Sequence, residues 1–171
     1  MAAAAAVLPA GPAQAQEAWV GVLDHSVTMP TSWNPGESGI DFQAGIRAAP
    51  QDKLAFLLKP APYAFVSVNS GGGASFIAAG LSWKIGNGPL YVRPGIGVAV
   101  HSGPSHRRIP GGRSVQLGSR VLFEPEIALG YQLSPRVAIE ASWTHLSHAR
   151  LFNRRQNPGL DMIGMRVAFK L

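Results

Sequence analysis

Residues 121–148 read VLFEPEIALGYQLSPRVAIEASWTHLSH. Up to Leu133 the odd positions are apolar: Val121, Phe123, Pro125, Ile127, Leu129 and Tyr131, a series that Leu117 begins. Arg120, Glu124, Glu126 and Gly130 hold the other parity. Beyond the tight turn Leu133-Ser134-Pro135 the odd series resumes with Val137, Ile139, Ala141 and Trp143, opposed by Arg136, Glu140, Ser142 and Thr144. A period of two puts successive side chains on opposite faces of a strand, so these are two strands, each with one apolar and one polar face. A turn this short joins antiparallel neighbours.

Working outward, the same alternation recurs along the chain. Leu90, Val92, Pro94, Ile96, Val98 and Val100 oppose Tyr91, Arg93, Gly95, Gly97, Ala99 and His101. Ile163, Met165, Val167, Phe169 and Leu171 oppose Gly164, Arg166 and Lys170, and Ile40, Phe42, Ala44 and Ile46 oppose Asp41, Gln43 and Arg47. Eight strands are predicted, at 18–27, 39–48, 61–70, 74–86, 88–102, 116–133, 135–148 and 159–171. The first and third alternate poorly and leave their facing open. No amphipathic helix stands out. Long connections at 28–38, 102–116 and 148–159 fall at one end. Tight turns such as Gly86-Asn87-Gly88-Pro89 fall at the other, where Ala49–Pro60 is a long exception.

Two architectures alternate this way. A soluble sandwich turns its apolar face inward and keeps a Lys- and Thr-rich face in water. An outer-membrane barrel turns its apolar face to lipid and fills its lumen with Gly, small residues and paired charges. Here the polar face is Gly-rich, and Arg93, Glu124, Glu126, Glu140 and Arg166 lie on successive strands. Buried charges of both signs call for pairing, with the glutamates partnering Arg93 and Arg166. A closed barrel also leaves no sheet edge in hydrocarbon. The fold class is therefore all-β, an eight-stranded antiparallel transmembrane β-barrel over residues 16–171, in the outer membrane of a Gram-negative cell.

Composition agrees. The 171 residues include 20 Gly, 14 Pro and no Cys, and 14% are charged. Without Cys there is no disulfide scaffold and no Cys-ligated metal. His101 and His106 lack the neighbours of a metal site, and no cofactor is expected. Gly71-Gly72-Gly73 reads as a hairpin tip, because no helix follows it. Residues 1–15 read as the remnant of an export signal, with Ala2–Leu8 as its apolar core and Ala13-Gln14-Ala15 as its cleavage site. The usual basic lead is missing, which leaves an Ala-rich tail as the alternative. The change to strand-like sequence after Gln16 favours export. The net charge of +6 gathers in His106, Arg107, Arg108 and Arg113 and in Arg150, Arg154 and Arg155. These loop clusters suit an anionic partner or simple solvation. With the amino terminus in the periplasm they lie outside the cell, where lipopolysaccharide presents phosphates. Nucleic acid is not the expected partner.

His145 and Ser147 continue the lipid-facing parity of the seventh strand, and Asp161 continues that of the eighth. Sequential antiparallel strands place His145 and Asp161 at the same end of the same face, where facing Cβ atoms are about 4.5–5.5 Å apart. Ser147 as nucleophile, His145 as base and Asp161 as orienting carboxylate would make a triad. A bare H-x-S triplet is common, so interfacial polar residues are the competing explanation. Trp143 reads as an interfacial anchor.

The segment His145-Leu146-Ser147-His148-Ala149-Arg150-Leu151, followed by Asn157-Pro158-Gly159-Leu160-Asp161, resembles the H-x-S-N-A-x-L and N-x-G-I-E segments of the PagL-like outer-membrane lipid A 3-O-deacylases. The likeness is strongest over residues 135–171. It implies a serine-hydrolase triad of His145, Ser147 and Asp161 on the barrel exterior, acting on lipid A of lipopolysaccharide in the outer leaflet. It also implies an oxyanion hole near His148 and Arg150; Arg154 and Arg155, in the same predicted outer loop, would attract the phosphorylated headgroup. Four departures stand out. Asp161 replaces a Glu, His148 stands where the family has Asn, and Arg150 stands where Gly is common; the loop before Asp161 is also two residues longer. Two other functions remain alternatives: a non-enzymatic structural or adhesive barrel, and a phospholipid esterase with the same triad. The apolar wall also leaves room for a homodimer.

Overall fold

The computed structural model describes residues 15–32, 36–104, 115–151 and 157–171. Eight strands follow one another: β1 Ala15–Asp24, β2 Ile40–Ala48, β3 Ala61–Asn69, β4 Phe76–Ser82, β5 Leu90–His101, β6 Val121–Gln132, β7 Val137–Leu146 and β8 Leu160–Lys170. Each pairs antiparallel with the next, and β8 returns to β1, closing the barrel. A single 3-10 turn, Asp52–Leu57, interrupts the strands among the described residues. Of the expected leader, residues 1–14 lie outside the described residues, and Ala15 already pairs with Ala48.

Parity behaves as expected from β5 to β8. Ile96, Val98, Ile127, Leu129 and Met165 point outward and are exposed. Arg93, Glu124, Glu126, Glu140 and Arg166 point inward and are buried. The predicted pairing is present: Arg93 Nε donates to Glu140 Oε1 at 3.0 Å, and Arg166 Nη1 donates to Glu126 Oε2 at 2.7 Å. Glu124 pairs instead with the hydroxyl of Tyr63. Each buried charge thus meets a donor or a counter-charge, which the low dielectric demands.

The lumen differs from expectation at β1 and β3. Trp19, Tyr63 and Phe65 point inward and pack on one another, and Phe65 also packs on Phe76. Their outward neighbours Val20, Val22, Val66 and Val68 are apolar as well. Both faces of these strands are therefore hydrophobic, which hides the alternation. Gly45 makes room for the indole: a Cβ there would sit 2.3 Å from Trp19 Cζ2.

The sixth strand is shorter than predicted. It starts at Val121, because Gly118 turns the chain with φ +77°. Leu117 is therefore buried and not lipid-facing, and Arg120 is exposed and not luminal. Arg120 Nη1 donates to the carbonyls of His101 and Gly103 at 2.9 and 3.1 Å.

At the long-loop end a buried network closes the lumen. His25 bridges two carboxylates, with Nδ1 2.9 Å from Asp41 and Nε2 2.9 Å from Glu37. Glu37 also accepts the N–H groups of Ala74 (2.9 Å) and Val115 (2.6 Å), so it ties three connections together. Burial alone would push the His25 imidazole down, but hydrogen bonds to Asp41 and Glu37 prevail and raise it to about 9. Burial would likewise raise Glu37, and its bonds to His25, Ala74 and Val115 hold it below its ordinary value.

Candidate active site

The β7–β8 register pairs His145 directly with Asp161. His145 Nδ1 lies 2.9 Å from Asp161 Oδ1. Both belong to the outward parity, yet Asp161 is 0% exposed and His145 only 7%. Two neighbours cover the pair. Trp143, one outward position below on β7, stacks on the His145 ring (centroids 5.9 Å apart, planes at 20°). Its Nε1 donates to Asp161 Oδ1 at 2.7 Å. The connection after β1 folds down over the start of β8, where the Val27 N–H donates to the Asp161 carbonyl at 2.9 Å. From that connection the Thr31 hydroxyl donates to Asp161 Oδ2 at 2.9 Å.

A carboxylate on a lipid-facing wall is costly unless bonded, and three donors meet this one. They also fix the imidazole. With Nδ1–H held by Asp161, Nε2 carries the lone pair that can accept a proton. Gly159 permits the close fit. Its φ is +70°, and a Cβ would lie 2.7 Å from the Thr31 carbonyl and 2.9 Å from His145 Cε1.

Ser147 exchanges both backbone hydrogen bonds with Phe123, at 2.7 and 3.1 Å, and so continues the β6–β7 register. It therefore shares the outward face with His145 and is half-buried. Its hydroxyl makes no hydrogen bond to another described residue. The structure thus joins His145 to Asp161 and sets Ser147 one outward position beyond them.

A tight turn follows immediately. Ala149 and Arg150 are both left-handed (φ 50° and 60°), and the Leu151 N–H closes the turn on the His148 carbonyl at 2.8 Å. Two such residues in a row, neither of them Gly, cost about 1–2 kcal/mol each. The His148 side chain is fully buried, and its backbone N–H donates to Asn157 Oδ1 at 3.0 Å. Arg150 is exposed, while Arg154 and Arg155 lie outside the described residues. So do His106, Arg107, Arg108 and Arg113.

Sequence reasoning missed the roles of Thr31 and Trp143. Trp143 carried a signal, since an indole N–H facing lipid needs an acceptor and Asp161 was placed on the same face. Thr31 carried none. It reaches Asp161 only because the loop folds back across the β1–β8 seam.

A closed eight-stranded barrel with an apolar wall and a charged, aromatic lumen is an outer-membrane β-barrel, and a His–carboxylate pair beside a serine is chemistry suited to ester hydrolysis. The sequence matches the family described as lipid A 3-O-deacylase (PagL) over residues 22–170. The chain belongs to that family, whose members are ester hydrolases of the Gram-negative outer membrane. Among solved structures it is similar to the crystal structure of the outer membrane enzyme PagL, with 19% identity and a TM-score of 0.62 over 91% of this chain and 99% of that one. It is also similar to Neisserial surface protein A (11% identity, TM-score 0.54, 91% and 96% covered). A de novo designed transmembrane β-barrel gives 13% identity and a TM-score of 0.52, with 92% and 98% covered. These structural likenesses concern the fold alone. No curated protein sequence matches the chain.

Proposed function

We propose that the chain removes the ester-linked 3-hydroxyacyl group at the 3-position of lipid A, using Ser147, His145 and Asp161 on the outer wall. The observation that carries this is the 2.9 Å contact between His145 Nδ1 and Asp161 Oδ1, on the same outward face as Ser147. Asp161 holds the tautomer in which Nε2 is a base, and it stabilises the imidazolium once formed. Nε2 takes the Ser147 proton as Oγ attacks the ester carbonyl. The tetrahedral intermediate collapses as His145 returns the proton to the departing sugar oxygen. Water, deprotonated by the same nitrogen, then attacks the acyl-serine and releases the 3-hydroxy fatty acid. The Ser147–His145 hydrogen bond forms when substrate arrives, as catalytic contacts often do only in the bound state.

The oxyanion donors are the backbone N–H groups of Ala149 and Arg150, in the left-handed turn that follows the nucleophile. The His148 N–H is already committed to Asn157. Strained backbone beside a nucleophile is where such a function is expected. The substrate's acyl chains lie along Met165 and Val167 on the wall, while the positive charge of Arg150, Arg154 and Arg155 attracts the phosphorylated headgroup. The long loops then lie outside the cell, and an export signal ends at Ala15. Every residue named is on one chain, so a homodimer is no part of the mechanism.

The test is mass spectrometry of lipid A from cells with this protein, with its Ser147→Ala variant, and without either. Loss of one 3-hydroxyacyl group only with the unaltered protein is the expected result. Identical lipid A in all three, with fatty acid released from glycerophospholipid instead, would reassign the substrate. Equal loss with Ser147→Ala would remove the nucleophile from the proposal. Amino-terminal sequencing of the membrane form should begin at Gln16.

A further inference from the structure

The connection Ala49–Pro60 is long at an end where the others are short turns, and the lipid site at the opposite end makes no use of it. It folds back toward the barrel mouth. Trp83 Nε1 donates to the Leu57 carbonyl at 2.7 Å, and the Gln51 N–H donates to the Pro60 carbonyl at 2.9 Å. Three consecutive apolar side chains, Phe56, Leu57 and Leu58, are exposed there, at 78%, 41% and 83%. Leu58 and Lys59 are both left-handed, with φ 62° and 53°. A solvated turn has no need of this composition or this strain.

Beneath the turn lies a cavity of about 880 Å³ that these side chains line together with Trp83, Arg47 and Lys84. That is the size of a small-molecule site. Arg47 is 2% exposed. Its Nη1 reaches Glu17 and its face lies 4.6 Å from the centre of the Trp19 ring, but Nε and Nη2 are buried and meet no hydrogen-bond acceptor among the described residues. Glu17 is also shared with Arg93, whose Nη2 lies 3.3 Å from its other oxygen. One carboxylate thus serves two guanidinium groups. Nε and Nη2 form one edge of the guanidinium fork, the edge that takes a carboxylate through two parallel hydrogen bonds. A buried, half-satisfied guanidinium is costly. Lys84, Arg136 and Lys170 at the rim add positive charge.

We propose that this mouth binds a single-chain anionic amphiphile of the fatty-carboxylate kind. On binding, the Arg47 guanidinium turns so that its Nε–Nη2 edge, buried in the structure, meets the carboxylate, and the acyl chain runs under Phe56, Leu57 and Leu58 against Trp83. The site lies in the lumen at the end away from Ser147 and works independently of it.

The test is native mass spectrometry of the whole chain in neutral detergent, titrated with tetradecanoate. A Ser147→Ala background excludes any acyl-serine adduct. One retained tetradecanoate per chain is expected, with no retention of tetradecanol. Arg47→Met should weaken retention by about tenfold or more, the scale of losing a charge-assisted pair. Phe56→Ser with Leu58→Ser, both at exposed positions, should weaken it several-fold while leaving the barrel folded. Equal retention of tetradecanol, unchanged affinity in the Phe56/Leu58 variant, or no retained tetradecanoate would each overturn the proposal.

Discussion

Asp161 is the residue on which the proposed chemistry turns. It receives three donors, from His145, Trp143 and Thr31, and both the carboxylate and its donors can be tested. Asp161→Asn keeps the size but loses the charge that selects the tautomer, so kcat should fall on the order of 10³–10⁴-fold. Trp143→Phe keeps the stack on His145 and removes one donor, and Thr31→Val removes another. A hydrogen bond to a charged acceptor is worth about 1.5–3 kcal/mol, so each change should lower kcat by roughly tenfold to a hundredfold with KM little changed. Steady-state kinetics on lipid A in mixed micelles would show this, and a change confined to KM would mean that the donors serve binding instead. His145 and Asp161 were legible as neighbours because strand register is a matter of counting. Thr31 was not, because its place depends on a loop crossing a seam between the first and last strands.

At the scale of elements, two connections frame the site. The loop between β1 and β2 is held at both ends of its work: His25 and Glu37 anchor it in the lumen, and Thr31 reaches Asp161 outside. His25 is raised in the folded state to about 9 from 6.5, so its stabilising effect is complete below about pH 6.5 and disappears as pH rises through about 9. Glu37 is lowered from 4.5, so its share is complete above that value and is lost as pH falls further. Hydrogen exchange of residues 25–32 should therefore be slowest between about pH 4.5 and 6.5, after correction for intrinsic rates, accelerate as pH rises from about 6.5 to about 9, and level off above that. In His25→Gln the alkaline acceleration should be absent; its persistence would assign the change elsewhere. The second connection carries the left-handed pair after Ser147. Arg150→Gly should raise stability by about 1 kcal/mol, since Gly adopts that conformation without penalty. Gly159→Ala should lower it by about 1–3 kcal/mol, because the new methyl meets Thr31 and His145. Denaturant unfolding from detergent micelles checks both.

For the whole molecule, the barrel is a rigid wall that lets chemistry sit on its outer face. The alternation that reveals it is plain from β5 to β8, where Gly and charge face inward. It is blurred in β1 and β3, because Trp19, Tyr63 and Phe65 fill the lumen and make both faces apolar. The start of β6 was misplaced for a related reason: Leu117 keeps the parity of the strand but lies beyond the turn at Gly118. Periodicity reports which faces are apolar, and it does not report what covers them. That is also why Asp161, outward by count, proves fully buried. The central claim, that a working triad stands on this wall, is tested most directly with a long-chain alkyl fluorophosphonate delivered to the protein in lipid nanodiscs. Peptide mapping should find the phosphonyl group on Ser147, with labelling abolished by His145→Ala and slowed by Asp161→Asn. Labelling that persists after His145→Ala, or that falls on another residue, would contradict it.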